Sequence, residues 1–288
     1  MLIAQISDLH IAGRGKKTYG IAPMGENLRL CVDHINQLSP RPNLVLVTGD
    51  ITDTGMEKQF EYARDLLSEL NIPYYIIPGN HDDRSRFLST FNHVACSSIR
   101  GTGDQNFVNY VIDDFEIRLI AVDSTVPGKP GGEICDQRAN WLDQRLSENT
   151  EKPTLIFMHH PPVKLGVIET DVDGFTGADK LGKIVKKYNN IEGILCGHVH
   201  LPTFTRWQGT IVSTAPSIGM RLLLDLTLEQ PPQFLLEKPA YQLHYWTAEK
   251  NLVSHLSEVK RSVSYRFEDD TETNGKMEYD RKIRGYSR

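Results

Sequence analysis

MLIAQISDLH, residues 1–10, is the stretch on which the fold turns. Leu2 to Ile6 is a short, mostly apolar run that ends in two metal-ligand residue types, Asp8 and His10. The pattern returns along the chain: Leu44 to Val47 leads to Asp50, and Tyr74 to Ile77 leads to Asn80 and His81. Leu155 to Met158 leads to His159 and His160, and Ile194 to Cys196 leads to His198 and His200. Each run has the length of a buried strand, so the polar residues fall just past the C-terminal ends of strands, where open α/β sheets place their ligand sites. That arrangement is the footprint of a two-metal hydrolase.

Outward from these runs, strand and helix alternate. Arg14 to Lys17, with Gly13 and Gly15, make a basic loop, and Glu26 to Leu38 carries apolar residues at helical spacing. Phe60, Ala63, Leu66, Leu67 and Leu70 form one face of a second helix. Phe107 to Ile112 and Ile117 to Val122 read as a hairpin, while Trp141 to Leu146 and Leu181 to Tyr188 are further helices. Phe204 to Trp207 and Thr210 to Ser213, joined by Gln208 and Gly209, form a second hairpin; Tyr241 to Thr247 and Leu252 to Leu256 are late strands. From Phe267 to Arg288 the chain is charged and poor in large aliphatics, the composition of a polar tail.

Composition sets the class. With 288 residues, 39% hydrophobic and 24% charged, the chain has volume for a large core and is neither disordered nor collagen-like. A net charge of −5 removes the overall basic surface that duplex nucleic acid requires, so no nucleic-acid partner is expected. MLIAQISDLH lacks the basic and long apolar regions of a secretory signal, and no apolar run approaches the roughly 18 residues of a spanning helix, so no membrane partner and a cytoplasmic location are expected. Cys31, Cys96, Cys135 and Cys196 have no CxxC spacing and read as reduced thiols.

Imidazole and carboxylate donors suit Mn, Fe, Zn or Co, and a pair of such ions needs roughly seven protein donors with one carboxylate shared. Asp8-x-His10 and His198-x-His200 are expected to place both side chains on one face of an extended segment. Gly79 is expected to let the backbone turn so that Asn80 and His81 both enter the site, with Asp82 or Asp83 capping a helix. His159 and His160 at a strand end should point in opposite directions, so that one ligates and the other packs behind it. His34, His93, His244 and His255 take a structural reading.

Taken in order, Asp8-x-His10, Gly49-Asp50, Gly79-Asn80-His81-Asp82, His159 and Gly197-His198-x-His200 resemble the signature of the calcineurin-like metallophosphoesterases. The resemblance implies an α/β (α+β) fold, a four-layer αββα sandwich of two mixed β-sheets flanked by helices. It covers residues 1–220 as catalytic domain, leaving 221–266 as a small β-rich cap or oligomerisation segment and 267–288 as the tail. Carried over by position, Asp8, His10 and His200 hold one divalent ion, Asn80, His159 and His198 hold a second, and Asp50 bridges them. His81 is the catalytic imidazole that faces substrate together with Asn80; His160 lies behind the ligands, and Tyr19 is a further candidate substrate contact.

The chemistry agrees with that assignment. A phosphodiester resists attack because its anionic centre repels hydroxide and its alkoxide leaves poorly. Two ions roughly 3.5 to 4 Å apart answer both problems with a metal-bound hydroxide and neutralised charge, and a positioned imidazole adds roughly 10²- to 10⁴-fold. Serine/threonine phosphatases carry GDxxDRG; in Gly49-Asp50-Ile51-Thr52-Asp53-Thr54-Gly55, Thr54 stands where their phosphate-gripping Arg would be. Ile6-Ser7-Asp8-Leu9-His10, Tyr19-Gly20, Pro78 to Asp83 and Phe157 to Pro162 resemble the bacterial class III cyclic-nucleotide phosphodiesterase and glycerophosphodiesterase branch. The expected activity is hydrolysis of small phosphodiesters, cyclic nucleotides such as 3′,5′-cyclic AMP or glycerophosphodiesters. A nuclease or phosphomonoesterase of the same fold is the alternative, with a non-catalytic binding protein behind them because every ligand position and His81 are present, and the family implies homo-oligomers.

Overall fold

The computed structural model of the protein describes residues 1–91, 107–227 and 231–259. Two mixed sheets dominate. The first has strands β1 (Leu2–Ile6), β2 (Leu44–Thr48), β3 (Tyr74–Ile77), β14 (Ala240–Trp246) and β15 (Leu252–Glu258), in the order β15-β14-β1-β2-β3. The second runs β10-β11-β9-β7-β5-β4, from β4 (Tyr110–Ile112), β5 (Arg118–Ala121), β7 (Thr154–Phe157), β9 (Ile191–Cys196), β10 (Thr203–Trp207) and β11 (Thr210–Thr214). Two small two-stranded sheets pair β6 (Gly132–Glu133) with β8 (Phe175–Thr176) and β12 (Met220–Leu222) with β13 (Phe234–Leu236).

The alternation of strand side chains explains the layering. In β5 and β7, Leu119, Ala121, Leu155 and Phe157 join the core shared with the first sheet. Their neighbours Ile120 and Ile156 face the other way, onto Trp141, Leu142 and Leu146 of α4 (Asp136–Ser147) and Leu181 and Ile184 of α6 (Ala178–Val185). On the first sheet pack α1 (Met24–Gln37), through Leu28, Val32 and Ile35, and α2 (Glu57–Leu67), through Phe60 and Ala63. The short α3 (Arg84–Thr90) and α5 (Ile168–Asp171) complete the described helices. The expected αββα sandwich of mixed sheets is therefore what forms.

Expected and observed elements differ mainly at their ends. Helix α1 begins at Met24, ahead of Glu26, and β7 stops at Phe157, one residue short of the expected Met158. The β10–β11 hairpin turns through Gln208 (φ 51°) and Gly209 (φ 96°), the left-handed pair that a two-residue hairpin needs. The first sheet is continuous across the expected division near residue 220. β14 lies antiparallel to β1, with Gln5 opposite Gln242, and so covers what would otherwise be the exposed edge of the first sheet. His93, Cys96 and the 267–288 tail lie outside the described residues. Among the described residues no helix is long and apolar enough to cross a membrane, and Cys31, Cys135 and Cys196 are free thiols.

Candidate metal centre

The loops after β1, β2, β3, β7 and β9 converge at one end of the two sheets and bring Asp8, His10, Asp50, Asn80, His81, His159, His160, His198 and His200 into one cluster. The expected reason for the Asp8/His10 and His198/His200 pairs is corrected. Asp8 (φ 52°), His10 (φ 41°), Asp50 (φ 48°), His198 (φ 71°) and His200 (φ 59°) all adopt left-handed backbone, so none of the pairs lies on an extended segment. Such a conformation costs of order 1–3 kcal/mol per residue and persists only where the surroundings over-determine it. Here they do: Asp8 N donates to Gly49 O (3.1 Å), His10 N to Asp50 O (2.8 Å), Thr18 Oγ1 to His10 O (2.6 Å) and Ser217 Oγ to Asp8 O (2.8 Å).

Gly79 also works differently from expectation. It has no positive φ; a Cβ there would collide with the Asp50 backbone and carboxylate, so glycine is required for close approach rather than for a turn. Asp82 does not cap α3, a role taken by Asp83, whose side chain accepts from Arg86 N. The Asp82 carboxylate instead accepts from Ile51 N, Thr52 N and Gly79 N, each at 2.9 Å, and buckles the Asp50 loop to the Asn80 loop. Burial pushes it up to about 6.

Donor atoms face one another across the cluster. His10 Nε2 lies 3.0 Å from His200 Nε2 and 3.5 Å from Asp50 Oδ2, and His200 Nε2 lies 3.6 Å from Asp8 Oδ1. His200 spends its proton on Met220 O through Nδ1 (2.7 Å), which leaves a lone pair on Nε2. His10 Nδ1 is buried without a partner, so either tautomer of His10 leaves a nitrogen unmatched. On the other side, Asn80 Oδ1 lies 3.0 Å from His159 Nε2 and 3.2 Å from His198 Nδ1, and Asp50 Oδ2 lies 3.4 Å from His159 Nε2. His159 Nδ1 donates to Thr48 O (2.8 Å), again turning Nε2 inward. Buried imidazole nitrogens converging with carboxylate and amide oxygens are the donor set of a cation site, and Asp50 belongs to both groups.

The charges of the cluster are coupled through Asp50. Burial opposes the charge on Asp50, but His159, His81 and His10 outweigh it and hold the carboxyl well below its usual range. Burial also opposes charge on His159, yet Asp50 and Asp8 push that imidazole up to about 9. His198 is pulled down to about 3, by burial first and then by His159. Its Nε2 sits 3.7 Å from Asp173 Oδ2, a neighbour for which the sequence offers no motif.

His159 and His160 do not point in opposite directions. Their rings meet edge to face at 4.7 Å, because β7 has already ended and strand alternation no longer applies. Both His160 nitrogens are engaged, Nδ1 with Ser124 Oγ (2.8 Å) and Nε2 with Pro130 O (2.9 Å), which leaves its ring no free lone pair. His81 takes Asp50 Oδ1 through its backbone amide (2.9 Å) and gives its Nδ1 proton to Asp53 O (2.8 Å). Burial disfavours its charge, but Asp50 and the Asp53 carbonyl prevail and raise its pKa. Tyr19 is exposed, in left-handed backbone (φ 51°), with its ring 5.7 Å from Phe234. The structural histidines behave as read where described: His34 meets Tyr241 OH at 2.8 Å and His244 is fully buried.

A mixed-sheet sandwich with paired cation-binding groups at the strand ends defines a class, the dinuclear metallohydrolases. The profile of the calcineurin-like phosphoesterases matches residues 1–202, and the chain belongs to that family, whose members use a binuclear metal site. It is 37% identical over 260 residues to an Arcobacter nitrofigilis protein named probable glycerophosphodiester phosphodiesterase GpdQ, covering 90% of this chain and 93% of that one. It is 23% identical to the Escherichia coli 3′,5′-cyclic adenosine monophosphate phosphodiesterase CpdA, covering 95% and 94%. A dimetal phosphatase from Danio rerio shares the fold, with a TM-score of 0.60 at 16% identity over 90% of this chain and 99% of that one.

Proposed function

We propose that the protein is a two-metal phosphodiesterase of small diesters, with glycerophosphodiesters ahead of cyclic nucleotides. The observation that carries the reading is the convergence of imidazole, carboxylate and amide donor atoms from Asp8, His10, His200, Asn80, His159 and His198 around the Asp50 carboxylate. Asp8, His10 and His200 would hold one divalent ion and Asn80, His159 and His198 a second, with Asp50 within reach of both groups; Mn, Fe, Zn and Co suit this donor set. When bound, such a pair supplies a nucleophile at neutral pH and offsets charge on the phosphoryl oxygens.

The chain's own residues do the rest. His81, its Nδ1 proton committed to Asp53 O, keeps Nε2 for the phosphoryl group; protonated, it gives that proton to the departing alkoxide as the P–O bond breaks. The products are an alcohol and a phosphomonoester. Asn80 and Tyr19, whose hydroxyl is shifted up by partial desolvation and then by the charges of Asp53 and Asp50, are the candidate substrate contacts, and His160 braces His159 and His198 from behind. Thr54 is hydrogen-bonded to Gln59, and Arg84, close in sequence to the Asn80 loop, is committed to Asp123 and Thr125. Neither provides the arginine clamp that favours a dianionic monoester. The ranking of diesters follows the greater similarity to the glycerophosphodiester relative.

A cytoplasmic enzyme fits this chemistry, and residues 221–266 are the segment for self-association, since Leu224, Leu226 and Leu236 there are exposed. Sedimentation at micromolar concentration reads that directly, and a monomer would remove it. The activity test is hydrolysis of bis(p-nitrophenyl) phosphate, p-nitrophenyl phosphate, glycerophosphodiesters and 3′,5′-cyclic AMP by the Mn-loaded protein and by Asn80→Ala. Diesterase activity lost in the variant supports the reading. Activity on the monoester alone, or none with both ions bound, overturns it.

A further inference from the structure

Between the two sheets, below the metal-ligand loops, runs a buried chain of side-chain hydrogen bonds. Gln5 Nε2 donates to Cys196 O at 2.9 Å and to Thr48 Oγ1 at 3.0 Å. A carbonyl only accepts, so the amide has one orientation, with Nε2 toward Cys196 and Oε1 toward His244. Oε1 takes the Nε2 proton of His244 at 2.9 Å, and His244 Nδ1 accepts from Ser254 Oγ at 2.7 Å. Gln5 and His244 are both fully buried, and burial pulls the His244 imidazole down to about 4, so it stays neutral in this chain of donors.

The partners of that one amide sit where the ligands begin. Gln5 precedes Asp8 on β1, Thr48 precedes Asp50 on β2, and Cys196 precedes His198 on β9. Thr48 also supplies the carbonyl that orients His159. The amide thus spans both sheets and touches the roots of the loops that bear most of the ligands.

We propose that Gln5 and His244 are positioning residues of the metal centre. His244 locks the Gln5 amide, and Gln5 sets the spacing between the sheet ends that present Asp50, His159 and His198. The inference rests on reading those three as ligands. It extends the functional unit to β14, beyond the residues 1–202 matched by the family. Groups that orient metal ligands from behind are typically worth about 10- to 100-fold in affinity or activity.

The test uses the full chain and measures Mn²⁺ affinity by competition with a chelator, beside diester kcat and Tm. His244→Gln keeps a donor within reach of Gln5 Oε1; His244→Asn stays polar but is one methylene too short; His244→Leu removes the donor. Leu142→Ala, in the core on the outer face of the second sheet, controls for general loss of stability. Expected is a Mn²⁺ affinity about 10- to 100-fold weaker in the Asn and Leu variants, recovered in Gln, and unchanged in Leu142→Ala. Where His244→Leu does not fold, the contrast between Gln and Asn carries the test. Asn and Leu variants that bind Mn²⁺ as tightly as wild type while losing Tm would overturn the proposal, as would equal weakening in Gln and Asn. A wild-type protein that takes up no divalent ion defeats the metal reading itself, and this inference with it.

Discussion

The two halves of the proposed metal centre are built alike and charged differently. Each has two imidazoles and a share of Asp50, but the first adds the Asp8 carboxylate and the second only the Asn80 amide. Asp8 is fully buried and held through His198 N (2.9 Å) and Ser217 Oγ (2.8 Å), whereas Asn80 is part-exposed on the loop between β3 and α3. A full negative charge in a buried site outweighs an amide dipole, so the proposed first subsite takes its ion more tightly. The comparison teaches a division of labour: the proposed first subsite has a buried carboxylate of its own, and the second has an amide on a part-exposed loop next to His81.

Removing what the halves share has the largest expected effect. Asp50→Asn should weaken both ions together and lower diester kcat/KM by on the order of 10³-fold or more, read by metal stoichiometry and rate; loss of one ion alone would break the symmetry assumed here. His81→Gln should leave both ions in place and reduce kcat by roughly 10²-fold or more, because proton transfer is lost while binding survives. An unchanged kcat would take His81 out of the chemistry.

Changing charge without changing shape sharpens the contrast. Asn80→Asp should tighten the second ion by about tenfold, and Asp8→Asn should loosen the first by a similar factor, as measured by calorimetric titration. If the two substitutions leave the order of loading unaltered, charge does not distinguish the subsites. Smallest at neutral pH is the effect of the imidazole that underlies both halves. His244 falls from 6.5 to about 4 in the folded protein, so the unfolded chain binds more protons between those values. Its contribution is full above pH 6.5 and is lost as pH falls through about 4, a difference of about 3 kcal/mol in metal-free protein. Denaturation of wild type and His244→Gln from pH 4 to 7 should show that much less slope in the variant.

Where the sequence reading fell short, the errors share a cause. The i, i+2 argument for Asp8/His10 and the opposite-direction argument for His159/His160 both assumed that strand geometry continues past the last strand residue. The backbone instead turns left-handed or irregular there, held by partners such as Thr18, Ser217 and Gly49 that are distant in sequence. Of the two candidate helix caps, Asp83 takes that local role, while Asp82 accepts from amides some thirty residues away, which no local pattern reveals. Met220 carries no sequence signal, since any residue offers a carbonyl, whereas Asp173 ends the Pro161-to-Asp173 stretch that the sequence suggests as a rim over the site.

By itself the sequence determined the alternation of strands and helices and the identity of the clustered residues, while the layering was what the resemblance to a known family implied. Strand periodicity, helix faces and the order of polar residues after each apolar run are local properties, set by covalent geometry and burial. The tertiary structure alone decided which nitrogen of each imidazole faces inward, why Gly79 must lack a side chain, and that His244 on a late strand reaches the base of the metal loops. Those outcomes depend on partners brought together from distant strands, and a hydrogen bond between residues more than two hundred positions apart leaves no periodicity to read.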